Sequence, residues 1–518
     1  MGRARNQLYK KKFAKSLSKL ASYLGLADDP AVLRMLWAVN ALQNGMKVKV
    51  SQHLNYPAAA ATTDMSSPFA VHKWDIETLA LLALSLPKQG PPRIDCKEFE
   101  TVRTLVNLLR AAEDFESGFR LNVDTILGEL PRIAFRQFGW QRGYVRSESL
   151  FRHYFIYGQG SSAAYFEERY GLALSDFAFS CFILFAHLSQ NPWSVLPDVT
   201  PFGYSQEHIV RTVALISKEL GSMRATTLDL IQTVRTKGQA RLAYLPSALR
   251  RFPIIASDHS PPFIISPLPQ LIMFRATSGL YYDMQDAPQR VREEVNLRFE
   301  EYVRNLIKAR LPRFELLPEQ RYGSRKATFK SPDVLMKDGD SVVVVFECKA
   351  TKMTFQAQYA ENPVEEAEQG FDQLAKGIAQ LWRFFSHARR GIFADVTVAP
   401  NAHAVLLSME PWMQMSRQLQ EQVVAKAAAI VASDVEIVEA DKRRIVFCAI
   451  EDLDRVLAVS DEGDFLEALA LSTQERFAGW HLTSAAGFKG EEQRAARPYP
   501  FDLATVLPWW GRFRLPKL

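Results

Sequence analysis

The stretch from Ser331 to Ala350, SPDVLMKDGDSVVVVFECKA, constrains the fold more than any other. Asp338-Gly339 stands between two apolar, partly β-branched runs, a pattern that predicts a β-hairpin. With the turn centred near Gly339, residues that face each other have numbers summing to about 678, which puts Asp333 opposite about Val345. Side chains alternate along a strand, so Val345, Glu347 and Lys349 share one face and Cys348 points the other way. Asp333 and Glu347 then become diagonal neighbours, with Lys349 one step beyond. The run Val342 to Phe346 is too apolar for a surface edge, so the strand is expected inside a covered sheet.

Two carboxylates and an ammonium at the end of such a strand need a reason to be there. Carboxylates that approach each other repel, so either their pKa values rise or a cation sits between them. Oxygen ligands suit a hard ion, Mg²⁺ or Mn²⁺, rather than zinc. The carbonyl of Cys348 is placed as an extra ligand. A Lys beside the ion orients a water or stabilises charge on a reacting phosphate. The plainer alternative is a strand whose charged ends reach into solvent.

Pro332-Asp333 followed fourteen residues later by Glu347-Cys348-Lys349 resembles the signature of the PD-(D/E)xK nuclease superfamily, with its restriction-endonuclease-like fold. The resemblance covers residues 286 to 475. It implies that Asp333 and Glu347 bind Mg²⁺ and that Lys349 assists the attacking water. It also implies an acidic residue on the helix before the first strand and a Gln on the helix after the Lys. Glu300 and Gln373 are the candidates. Glu300 lies on the margin of the stripe Val291, Val295, Phe299, Tyr302 and Leu306, on a helix expected from about Pro288 to Ala309. Gln373 shares a flank with Gly370 and Gly377 on a helix expected from about Pro363 to Arg389, where the glycines let a backbone come close. As ordinary helix surface, either residue would be unremarkable.

The remaining elements expected here are a strand near Arg313 to Gln320, two apolar runs (Ala404 to Met409 and Arg444 to Ile450), a helix between them from Met413 to Ala432, and a last helix from Gly463 to Leu471. That order suits a mixed sheet flanked by helices, an α/β domain. Arg321, Arg325, Lys326 and Lys330 cluster just before Asp333 without an intervening acid. They are candidate contacts for a nucleic-acid backbone, or else a basic turn with no partner.

A chain of 518 residues is too long for one ordinary core. The reading divides it into a mostly helical substrate- or partner-binding region (1–285), the nuclease-like domain (286–475) and an irregular tail (476–518). The Pro-rich stretch from Pro246 to Pro269 marks the seam or lies just before it. A net charge of +6 is compatible with nucleic acid. Cys96, Cys181, Cys348 and Cys448 form no CxxC pair, so neither disulfides nor zinc are expected and a reducing cytoplasm fits. No secretory signal or membrane span is expected, and the apolar run Phe177 to Leu188 reads as a buried helix.

Three stretches outside that domain carry charge or aromatic rings. Residues 1 to about 50 look helical, and Arg3, Arg5, Lys10, Lys11, Lys12, Lys15 and Lys19 precede the first acid, Asp28. This is a phosphate-contacting arm or a solvated helix face. Between 131 and 158, five arginines, among them Arg136 and Arg142, interleave with aromatics. They contact phosphates and bases, or they form salt bridges around an aromatic core. Gly158 to Ser162 reads as a loop. In the tail, Trp509-Trp510 followed by Arg512, Phe513 and Arg514 stacks on nucleic acid or docks on another domain; adjacent tryptophans need cover, which favours docking.

The function these residues lead to is a Mg²⁺- or Mn²⁺-dependent nuclease acting on nucleic acid, by resemblance DNA, as in bacterial restriction or phage defence. It would work alone, as a homodimer or with a partner protein. The alternative is a catalytically silent nucleic-acid-binding or protein-interaction module on the same fold.

Overall fold

The first helices form because apolar residues recur at helical spacing. Asp28 accepts from the Ala31 N–H at 3.0 Å at the start of the Asp29–Gln43 helix, and Pro30 occupies its first turn. Together with the Arg3–Gly25, Lys73–Ser85 and Phe99–Arg120 helices it buries Leu20, Trp37, Leu79, Val102 and Leu109 in one apolar core. The structure is a computed structural model. It describes residues 3–46, 48–121, 126–237, 240–354, 357–360, 362–394, 396–411, 416–487 and 495–512.

The Pro-rich stretch is buried at 253–256 and 264–269, and between them 258–261 and Phe263 are exposed. Strand β1 (Ser217–Glu219) runs parallel to β2 (Ile254–Ala256), which pairs antiparallel with β3 (Ile264–Ile265). Strand alternation sends Ile255 and Ile265 into the first core and Ile254 and Ile264 into a second one. That second core crosses residue 286. It joins the Ser147–Tyr157 and Leu174–Gln190 helices to the Gln289–Arg310 helix and to one face of the main sheet. Between Tyr157 and the Gly160–Tyr170 helix only two residues remain as a loop, and Gly160 starts that helix at φ 55°.

The main sheet contains β4 (Glu315–Pro318), β7 (Val334–Asp338), β8 (Ser341–Lys349), β9 (Thr397–Ser408) and β10 (Ile445–Ala449), in the order β10-β9-β8-β7-β4. β4, β7 and β8 form an antiparallel meander, whereas β8, β9 and β10 are parallel. The parallel steps require crossovers, supplied by the Glu368–Arg389 and Arg417–Val431 helices. One sheet face (Val334, Met336, Val344, Phe346 and Cys348) packs on the Gln289–Arg310 and Ile450–Val459 helices. The opposite face (Leu335, Val345 and Ala404) packs on Leu381, Phe384 and Phe385 of Glu368–Arg389. A mostly helical N-terminal region thus precedes a mixed sheet flanked by helices.

Four elements depart from expectation. The basic cluster before Asp333 is itself a hairpin, β5 (Arg321–Ser324) with β6 (Ala327–Lys330). The Ile450–Val459 helix follows β10 directly. The helix expected from Pro363 breaks at Ala367. The helix expected from Met413 runs over Arg417–Val431, with 412–415 outside the described residues. In the tail, Trp509 is 2% exposed and donates its Nε1–H to the Ser175 carbonyl at 3.1 Å, so the pair docks as favoured. Phe513 and Arg514 lie outside the described residues. No single helix among the described residues is long and apolar enough to cross a membrane, and Phe177 to Leu188 lies within a largely buried helix.

Candidate active site

The hairpin holding the motif turns at Gly339-Asp340, with Gly339 at φ 60°, a conformation that glycine adopts without strain. Near the turn the paired numbers sum to 679 (Asp338 with Ser341), but beyond Val343 they sum to 680 (Val334 with Phe346). The cause is a bulge: Val342 packs on one sheet face and Val344, two residues on, packs on the other. Continuing the ladder one step sets Asp333 directly opposite Glu347, not opposite Val345. The expected diagonal pair is therefore a facing pair, with Cα atoms about 5 Å apart.

The same continuation on the other side of β7 adds a residue the sequence reading missed. Pro318 pairs with Val334, so Glu319 follows at the end of β4 near Asp333, and its charge bears on Asp333, Glu347 and Glu300. Glu319, Asp333 and Glu347 thus make a carboxylate row at the neighbouring ends of β4, β7 and β8. No spacing rule reveals this from sequence, because β5 and β6 interrupt the chain between β4 and β7.

Each carboxyl in the row is held differently. Asp333 Oδ2 accepts from the Cys348 N–H at 2.6 Å. Glu347 is 2% exposed, and its Oε1 accepts from Lys349 Nζ at 2.6 Å. Glu319 lies 2.9 Å from Lys330 Nζ. The Lys349 carbonyl accepts from the Met409 N–H on the β9 side. Successive residues turn their backbone polar groups to opposite edges, so the Cys348 carbonyl looks toward Asp333 with its N–H. The Cys348 carbonyl thus shares an edge of β8 with that N–H, while the Cys348 thiol lies in the opposite core.

Glu300 joins this group from the Gln289–Arg310 helix. Burial pushes its carboxyl up to about 8; Asp333, Glu319 and Glu347 add to the rise, and Arg304 opposes it. Burial also raises Glu347 and Asp333, although Lys349 pulls both down. Burial pulls Lys349 down, but Glu347 and Asp333 outweigh it and hold the ammonium above its ordinary value. Lys349 pairs with Glu347, Lys330 with Glu319, and Arg304 opposes the rise at Glu300, so four acids meet three cations and the site stays short of positive charge. No three His, Cys, Asp or Glu side chains among the described residues close on one point as ligands; the Lys349 ammonium holds the centre beside Glu347. The donor set nonetheless fits a hard divalent cation: oxygen atoms only, with Glu347 buried and the Asp333 and Glu347 carboxyls both raised by burial.

The Glu300 shift carries a sign. A carboxyl with a folded value near 8 binds a proton that the unfolded chain releases near 4.3, so the folded state loses stability as pH rises through that window. In EDTA, wild type is expected to lose roughly 1–3 kcal/mol more than Glu300→Gln between pH 5 and 8.5, after allowance for solvent screening. Urea midpoints at three pH values measure the difference. Parallel curves for the two proteins would remove Glu300 from the acidic group.

Gln373 is exposed and accepts from Thr351 Oγ1 at 2.7 Å. It stands at the rim of the strand end rather than among the carboxyls. Gly377, one turn along, makes the close approach: a Cβ there would lie 3.0 Å from Lys349 Cε and 3.1 Å from both Glu347 Cγ and Leu406 Cδ1.

Of the cations assigned to nucleic acid, Arg321, Arg325, Lys326 and Lys330 are exposed on the β5–β6 hairpin. Tyr322 and Phe329 anchor its inner face; the Tyr322 hydroxyl is 2.9 Å from His387 Nδ1, and the Phe329 ring is 4.3 Å from that imidazole. Arg321 and Lys330 face each other across the ladder. Lys330 is shared with Glu319 at 2.9 Å, which offsets that like-charge contact. Arg136 and Arg142 do not serve in this way. Arg136 is locked to Glu113 at 2.6 and 2.9 Å, and Arg142 lies 3.0 Å from Glu451 and 3.6 Å from Asp452. Both are about nine-tenths buried, because the aromatics around them are core and the helices carrying them pack inward.

No protein-family model matches the chain, and no curated protein or solved structure matches it.

Proposed function

We propose that this protein is a divalent-metal-dependent nuclease of the PD-(D/E)xK type, with the restriction-endonuclease-like fold, acting on DNA. The observation that carries this reading is the facing pair Asp333 and Glu347, with Lys349 Nζ on Glu347 and Glu300 alongside. Asp333, Glu347 and the Cys348 carbonyl would hold Mg²⁺ or Mn²⁺. When bound, that ion lowers the pKa of water and neutralises charge on the phosphate under attack. Lys349 Nζ, which rests on Glu347 Oε1 at 2.6 Å, would hold the water or a phosphate oxygen. The water oxygen bonds to phosphorus, one P–O ester bond breaks, and the proton goes to the leaving alkoxide. Arg321, Arg325, Lys326 and Lys330 bring the backbone to the mouth of the site. A cytoplasmic place in defence against foreign DNA fits this chemistry, as does a dimer for double-strand cutting.

The test is incubation of the purified protein with circular and linear, single- and double-stranded DNA and RNA, in Mg²⁺ or EDTA. Cleavage of DNA in Mg²⁺ that stops in EDTA is expected. Cleavage that persists in EDTA would overturn the reading.

Gly377 offers a second test. Gly377→Ala favours the helix by roughly 0.5–1 kcal/mol, so the fold is expected to persist. Its Cβ displaces Lys349 and Glu347 by a few tenths of an ångström, and cleavage is expected to fall about 10- to 100-fold. Initial rates beside urea midpoints separate the two effects.

A further inference from the structure

The chain's positive charge is concentrated in one helix far from the carboxylate row in sequence. Seven of the 63 basic residues, and none of the 57 acids, lie in the first 27 positions. The remaining 491 residues carry 56 bases and 57 acids, a net charge of −1. The Arg3–Gly25 helix, at +7, thus accounts for the whole of the chain's +6.

The packing of that helix sorts its side chains. Leu20 and Leu24 are buried in the first core, with Phe13 and Leu17 packed against it. Phe13 and Tyr9 meet Phe119 and Phe115 of the Phe99–Arg120 helix, with ring centroids 5.7 and 6.0 Å apart. Lys10 and Lys12 flank this seam, their ammonium groups 5.7 and 5.4 Å from the Phe119 and Phe115 ring centres. At 100° per residue, Lys11, Lys15 and Lys19 fall on the opposite side. All three are exposed. They form a row at i, i+4 and i+8, with steps of about 6 Å along the axis. Like charges at i, i+4 destabilise a helix, and no acid in the helix relieves them.

We propose that this row is a second nucleic-acid contact, gripping the phosphodiester backbone apart from the carboxylate row. Phosphates follow one another at a comparable spacing, and each neutralised one releases condensed counterions. A membrane surface is a poorer occupant. An amphipathic helix on lipid inserts its apolar face, and here that face is already packed on the Phe99–Arg120 helix. The contact needs no catalysis, so it stands or falls apart from the nuclease reading.

The experiment uses the full chain carrying Glu347→Gln, in EDTA, and follows its binding to fluorescent duplex DNA, single-stranded DNA and RNA by anisotropy from 50 to 300 mM salt. The triple variant Lys11→Gln, Lys15→Gln, Lys19→Gln is expected to lower the slope of log K against log salt by roughly 2–3 on duplex DNA. Neutralising the exposed Arg235, Arg290 and Lys308 instead is expected to change it by less than about 1. Circular dichroism and urea midpoints verify that both triple variants fold. An unchanged slope in the first variant, an equal change in the second, or a loss of affinity for phosphatidylserine vesicles without loss for nucleic acid would each overturn the proposal.

Discussion

Glu347→Gln and Lys349→Ala are each expected to lower Mg²⁺-dependent cleavage by about 10³-fold or more, and the double variant to fall little further. Groups that act as one unit lose most of their effect at the first removal. Glu347 is 2% exposed and bonded to Lys349 at 2.6 Å, so neither side chain is free to be replaced by a neighbour. Binding of DNA is expected to survive, because it rests on the β5–β6 hairpin and not on these groups. Single-turnover rates and anisotropy on the same preparations separate the two readouts. Undiminished cleavage in both single variants would remove the chemistry from this strand.

The second large effect is on stability and arises where the helical region meets the sheet-bearing part. Glu451, on the Ile450–Val459 helix, accepts from Arg142 at 3.0 Å, Arg146 at 2.5 Å and Arg152 at 3.4 Å. Burial pushes its carboxyl up, but Arg146, Arg152 and Arg142 outweigh that and hold it well below the usual range. Removing one partner of such a group strands buried charge, so Glu451→Gln is expected to destabilise by about 3–5 kcal/mol. A depressed carboxylate contributes stability that is present above its unfolded value near 4.3 and lost as pH falls toward its folded value. The gap between wild type and variant is therefore expected to be full at pH 7 and to narrow below about pH 4. Urea denaturation at pH 7 and pH 3.5 measures both. A gap under about 1 kcal/mol at pH 7 would mean that the three arginines are held by something else. DNA affinity of the folded variant is expected to stay unchanged, which separates a structural role for Arg142 from a phosphate contact.

The sheet was legible in the sequence where local signals were strong. Asp338-Gly339 announced the hairpin, and the helical stripes of Gln289–Arg310 and Glu368–Arg389 stood out because apolar residues recur every three or four positions. What failed was register and pairing, both set by tertiary context. The turn, centred at Gly339-Asp340, and the bulge at Val343 each moved the pairing by one residue, since five consecutive apolar residues leave no alternation to fix it. Glu319 was invisible because its neighbour Asp333 is reached only through the β4–β7 pairing. Arg136 and Arg142 were misassigned to nucleic acid for a related reason. Their partners, Glu113, Glu451 and Asp452, lie on other elements, up to 310 positions away, and composition alone cannot distinguish a buried arginine from an exposed one.

Calorimetric titration of Mn²⁺ into the apoprotein tests most directly whether the carboxylate row is a cation site. Wild type is expected to bind Mn²⁺ at this site, and Asp333→Asn and Glu347→Gln to lose that binding. Lys349→Ala, which removes the ammonium that competes for Glu347, is expected to bind more tightly while cleaving nothing. Equal Mn²⁺ affinity in wild type and Glu347→Gln would contradict the account.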